Sequence, residues 1–148
     1  MSINFIKIIA VIFFLCGCEQ KIRDQDVPEE VKNKLNTLYP DAGNVQWDKD
    51  LKYYKAYFIN SGKNVSVLFD KKGNVKKTEK KIEENEIPEV VMKTIHREYP
   101  EAKLISFSRV DSRDMTEYTA KMHIKTEDYK VYFSQEGRLI RQMLSTKE

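Results

Sequence analysis

The sequence has little with which to cross-link, coordinate or catalyse. Of its 148 residues only two are cysteine, Cys16 and Cys18, and only two are histidine, His96 and His123. A disulfide framework or a Cys/His zinc site needs more, so stability has to come from a packed core. No HExxH, GxSxG or phosphate-loop pattern occurs, and nothing resembles a cysteine nucleophile beside a base. Long apolar runs are missing too. The sustained run at residues 8–15 has eight residues, against the roughly 20 that span a bilayer. Neither charge sign dominates: 26 Lys and Arg stand against 23 Asp and Glu, a net +3. That balance argues against a dedicated nucleic-acid binder.

What is present begins with an address. Lys7 precedes the short apolar run, and Leu15-Cys16-Gly17-Cys18 follows it. This resembles a bacterial lipobox, and the resemblance implies cleavage before Cys18 and lipid on its sulfur. Residues 1–17 are thus expected to be a lipoprotein signal peptide. Acyl chains hold a membrane by burying methylene groups, at about 0.8 kcal/mol each. Glu19, not aspartate, follows Cys18, which favours the outer membrane. Removing Lys7 with the signal peptide leaves a net charge of +2. Residues 18–26 are polar and read as a tether.

From residue 27 the chain repeats itself. VPEEVKNKLNTLYP at 27–40 returns as IPEVVMKTIHREYP at 87–100, an offset of sixty. Farther on Tyr54, Ala56, Val67, Phe69 and Gly73 match Tyr118, Ala120, Val131, Phe133 and Gly137, an offset of sixty-four. The four extra residues fall in the loop-like VDSRDM at 110–115. Self-similarity of this kind marks a structural duplication, with units at 27–82 and 83–148.

Each unit opens with a helix of about 13 residues. Val31, Leu35, Leu38 and Tyr39 form one apolar stripe, as do Val91, Ile95 and Tyr99. His96 borders the second stripe and reads as a half-buried structural residue. Pro40 and Pro100 stop the helices, because the residue before a proline is pushed out of the α region. The period then changes to two, the signature of strands with one buried face. Trp47, Ala56, Phe58, Val65, Val67 and Phe69 should face the first helix. Phe107, Ala120, Met122, Tyr129, Val131 and Phe133 should face the second. The fourth strand of unit one is lysine-rich over 71–81 and reads as a charged edge that discourages pairing.

The openings PEEV…LYPDA…W and PEVV…EYPEA…F, leading into FDKKGNV and FSQEGRL, resemble the PepSY-like family over residues 27–144. That family is similar to the β-lactamase-inhibitor protein fold. The resemblance implies an α+β protein: two tandem units of one helix plus a four-stranded antiparallel meander, forming one continuous concave sheet with helices on one face. It also implies a periplasmic or extracellular setting. It does not bring inhibition with it, since the tip Asn60-Ser61-Gly62-Lys63 carries no acidic residue.

The helix-free face is the expected site. Strict alternation places Gln46, Asp48, Lys55, Tyr57, Ile59, Ser66 and Leu68 on it from unit one. From unit two it places Ser106, Thr119, Lys121, His123, Lys130 and Tyr132. The candidate partner-binding set is Lys55, Tyr57, Ile59, Leu68, Lys121, His123, Lys130 and Tyr132: aromatics beside cations with isolated aliphatics, as on protein-binding surfaces. Together Tyr57, Ile59, Leu68 and Tyr132 would make an apolar patch. Asp111, Asp114 and Glu117 lack the spacing of a calcium loop. The expected function is therefore non-enzymatic, without a cofactor. It is a lipid-anchored envelope module binding a protein or peptide, with inhibition of an envelope hydrolase as a variant. A small-ligand or metal sensor is the alternative.

Overall fold

The computed structural model describes residues 20–145, so the expected signal peptide, residues 1–17, and Cys18 lie outside the described residues. Nine strands form one antiparallel sheet in chain order. They are β1 (Gln20–Ile22), β2 (Gly43–Asp50), β3 (Tyr53–Asn60), β4 (Lys63–Asp70), β5 (Val75–Ile82), β6 (Lys103–Ser112), β7 (Met115–Ile124), β8 (Glu127–Ser134) and β9 (Leu139–Leu144). Helix α1 (Glu29–Leu38) lies between β1 and β2, and α2 (Glu89–Glu98) between β5 and β6. The expected α+β class and antiparallel meander are what the chain forms. Both helices have 10 residues, shorter than expected. Tyr39 and Tyr99 leave the helical region at φ −138 and φ −132, since each precedes a proline.

The register fixes the faces. Residues directly opposite in an antiparallel pair share a face, so Trp47, Ala56, Val67 and Thr78 form one row. Ile82 lies four positions along β5 from Thr78, hence on the same face, and starts the row Phe107, Ala120 and Val131. Val31 and Leu35 pack with the first row, Val91 and Ile95 with the second. Both helices therefore cover the same side. All twelve strand residues expected to face the helices are in or against these two cores.

The stretch read as a tether is part of the fold. Ile22 pairs with Trp47, and Lys21 with Asp48. Sixty residues on, Ile82 pairs with Phe107, and Lys81 with Ser108. A 3-10 turn follows in both places, at Asp24–Asp26 and Glu84–Glu86. The Trp47 indole N–H donates to Asp24 Oδ1 at 3.2 Å. The repeat thus begins at β1, seven residues before the Val27 start read from the sequence. A three-residue strand is too short to show a period.

Two other expectations are corrected. The lysine-rich segment is no edge: β5 is the fifth of nine strands and bonds to β4 and β6. The four extra residues of unit two do not make a loop. β6 and β7 have 10 residues each where β2 and β3 have 8, so the insertion lengthens a hairpin by two residues per strand and keeps the faces in register.

Each helix is seated by a glycine. Gly73 and Gly137 have φ +76 and +81, and a Cβ there would lie 2.5 Å from the Glu30 carbonyl oxygen and 2.7 Å from that of Val90. Gly73→Ala and Gly137→Ala are each expected to cost more than the ~1–2 kcal/mol of a left-handed L residue, because helix backbone must also move. Urea unfolding checks this. Gly62→Ala, at φ +75 with open space around it, should show the conformational cost alone.

Candidate partner-binding face

The face opposite the helices has its own structure. Lys55, Leu68 and Lys77 form one row on it; Tyr57, Ser66, Glu79, Val110 and Glu117 form the next. In the second unit Thr119 pairs with Tyr132 and Lys121 with Lys130. No described element covers these rows, yet Val110, Glu117, Thr119, Tyr132 and Ser134 are buried. Neighbouring side chains cover them. Arg141 lies 3.6 Å from the Tyr132 ring centre. It also donates to Glu117 through both terminal nitrogens, at 2.8 and 3.3 Å. The Glu117 carboxylate holds the Arg141 guanidinium above its ordinary range.

Lys130 on β8 donates to Glu79 on β5 at 2.5 Å. Three strand spacings of about 4.8 Å separate these strands. The two long side chains close that span over β6 and β7. Lys77, opposite Leu68 on the neighbouring strand, lies near this ion pair. Burial pushes its ammonium below the usual lysine range, against the pull of Glu79, and Lys55, Lys130 and Arg141 add repulsion. Two shallow depressions result. One, about 190 Å³, is lined by Asp48, Asp50, Tyr53, Lys55, Ser66, Leu68 and Lys77. The other, about 180 Å³, is lined by Glu79, Ser106, Ser108, Thr119, Lys121, Lys130 and Ser145.

The structure therefore sorts the sequence candidates. Lys55, Tyr57, Leu68, Lys121 and Lys130 are half-buried on this face, and Ile59 is exposed near its end. Lys55 lies over the Tyr57 ring, 4.6 Å from its centre. Tyr132 is 8% exposed beneath Arg141, so it contributes no open apolar surface. It also sits on β8, five strands from Tyr57, or about 24 Å on a flat sheet. The four-residue apolar patch does not form. His123 is exposed, with Nδ1 2.7 Å from Asp128 Oδ1 on the next strand. His96 is exposed rather than half-buried.

The acidic group is dispersed. Asp111 accepts from Thr116 at 2.7 Å on the helix side, while Glu117 points to the opposite face. Among the described residues no cluster of metal-ligating side chains occurs. Sequence reasoning did not place Lys77, Glu79, Glu117 and Arg141 on this face. Glu117 lies in register with the other face residues of β7, so alternation could have found it. Arg141 required knowing which strand lies beside β8.

The description "Putative beta-lactamase-inhibitor-like, PepSY-like" matches the chain at residues 17–77 and again at 52–141. The chain belongs to the PepSY-like family. Two matches on one chain agree with the internal repeat, and the first takes in β1. Solved structures show the same PepSY-like fold. A BLIP-like protein from Bacteroides fragilis NCTC 9343 is 22% identical with a TM-score of 0.69, over 82% of this chain and 89% of that one. A structure from Bacteroides eggerthii DSM 20697, described as "putative periplasmic proteins", is 20% identical with a TM-score of 0.75, over 80% and 88%. No curated protein matches the chain.

The hairpin tips also follow the PepSY-like repeat. Asp70 accepts backbone N–H groups from Lys72 and Asn74, at 2.9 and 3.0 Å, closing the β4–β5 turn. The side-chain bond from Asn74, then Lys76 and the backbone donors, hold its carboxyl well below the usual carboxylate range. In unit two Ser134 takes the same place and accepts from the Arg138 N–H at 3.2 Å.

Proposed function

We propose that this PepSY-like protein is a non-enzymatic cell-envelope module, anchored by lipid at Cys18, that binds a protein or peptide on the helix-free face of its sheet. One observation carries the reading. That face is not covered by any described element, yet its charged side chains are already held in place, by Glu79 on Lys130 and Glu117 on Arg141. Preorganised polar groups lower the ordering cost of binding. The depressions hold about 190 and 180 Å³, below the roughly 300–1,000 Å³ of small-molecule pockets. They suit single side chains of a docked partner, which favours this reading over a small-ligand carrier. The periplasmic description of the Bacteroides eggerthii structure supports an envelope address, with the outer membrane favoured by Glu19. Inhibition of an envelope hydrolase is one form the binding could take.

Photo-crosslinking in intact cells tests it. A crosslinking side chain at Tyr57 or Lys121 is expected to trap another protein, and one at Asn36 on the exposed side of α1 is not. Trapping from Asn36 alone would overturn the proposal.

A further inference from the structure

Composition and position are mismatched along the sheet. β5, VKKTEKKI, has the charged composition that guards an exposed edge, yet it is the middle strand. β9, LIRQML, is the last strand and is exposed throughout. Leu139, Ile140, Met143 and Leu144 are 46%, 40%, 53% and 59% exposed. An apolar edge of this length is a template for another strand. We propose that β9 is a self-association edge, pairing antiparallel with β9 of a second copy about a twofold axis at Gln142. The proposal is independent of the partner-binding face.

The repeat supplies the precedent. β9 stands to unit two as β5 stands to unit one, and the outer edge of β5 takes an antiparallel strand, β6. Continuing head to tail would require β2 of the next copy, but the outer side of β2 carries β1 at Trp47, Asp48 and Lys49. A closed twofold contact remains.

The backbone sets the register. The Ser145 N–H donates to the Asp128 carbonyl at 2.7 Å, toward β8. Met143 is opposite Lys130 and Arg141 opposite Tyr132, so alternation turns their backbone groups toward β8 as well. Gln142 and Leu144 turn theirs outward. An axis at Gln142 makes the two Gln142 residues a hydrogen-bonded pair. It sets Arg141 opposite Met143, with no like charges facing, and brings Leu144 beside Ile140, where the register of β9 against β8 shifts by one residue. An axis at Arg141 would oppose two guanidiniums, and one at Met143 would move Ile140 away from Leu144.

Cysteine crosslinking of the full chain in membranes tests this. In a hydrogen-bonded antiparallel pair the Cα atoms are about 5.5 Å apart, within disulfide range. Oxidising Gln142→Cys with copper-phenanthroline is expected to convert most of the chain to dimer. The parent, with only Cys16 and Cys18, and a Tyr57→Cys control should gain no such band. On the Gln142→Cys background, Ile140→Lys with Leu144→Lys should cut the dimer at least tenfold, since these positions come together across the axis. Ile140→Lys with Leu144→Glu should restore it. Protease resistance confirms that each variant is folded. A folded Gln142→Cys chain that stays monomeric overturns the proposal. So does a Lys/Lys variant that still crosslinks fully, or a Lys/Glu variant that fails to recover.

Discussion

Phe69→Ala and Phe133→Ala are each expected to lower unfolding stability by about 3–5 kcal/mol, the usual cost of emptying a large aromatic site. Both side chains are fully buried, and they occupy equivalent places on β4 and β8, sixty-four residues apart. Phe69 packs in the core under α1 and touches Trp47, with ring centres 6.4 Å apart; Phe133 packs in the core under α2. Because the cores are separate, the two losses should add to within roughly 0.5 kcal/mol. Urea denaturation of the single and double variants measures this. A double variant far from the sum would show that the two cores are coupled through β5 and β6.

Reversing Lys55 and Lys121 to glutamate is expected to reduce partner capture at least tenfold, about 1.4 kcal/mol. Glutamate at 55 would face Asp48 across β2–β3, while at 121 it would face Lys130 across β7–β8; cross-strand pairs of this kind contribute roughly 0.2–1 kcal/mol each, so the net change in stability should stay within about 1 kcal/mol. Both residues line the depressions on the helix-free face, one in each. Lys130→Glu should behave differently. It would place a carboxylate against Glu79, whose ion pair with Lys130 joins β5 to β8. Its loss of capture should therefore come with a lower unfolding midpoint. Quantitative crosslinking from Tyr57, alongside denaturation curves, separates the two effects. Undiminished capture by the folded Lys55→Glu, Lys121→Glu variant would move the binding surface elsewhere.

The helix-facing residues could be read from sequence because burial imposes a period. Trp47, Ala56, Phe58, Val65, Val67 and Phe69 alternate with polar neighbours, and a slip of one would expose them all. Proline marked the helix ends for a similarly local reason. The other face gives a weaker signal. Tyr132 and Thr119 alternate correctly but are buried, and alternation cannot tell an open position from one covered by Arg141, which follows Tyr132 by nine residues. β1 escaped notice because three residues carry no period. Its match to Lys80–Ile82 appears only when the offset of sixty is carried back past Val27.

By itself the sequence determined the duplication, which a repeated pattern displays directly, and the helix ends and the buried side of each strand, which depend on contacts or backbone limits within a few residues. Only the tertiary structure decided which strands became neighbours and where the sheet stops. A charged strand can lie at the centre when another strand bonds both of its edges and its long side chains reach past their neighbours. An apolar one can be left at the rim, because strand order is fixed by connections and pairing across the whole chain, and no local pattern records it.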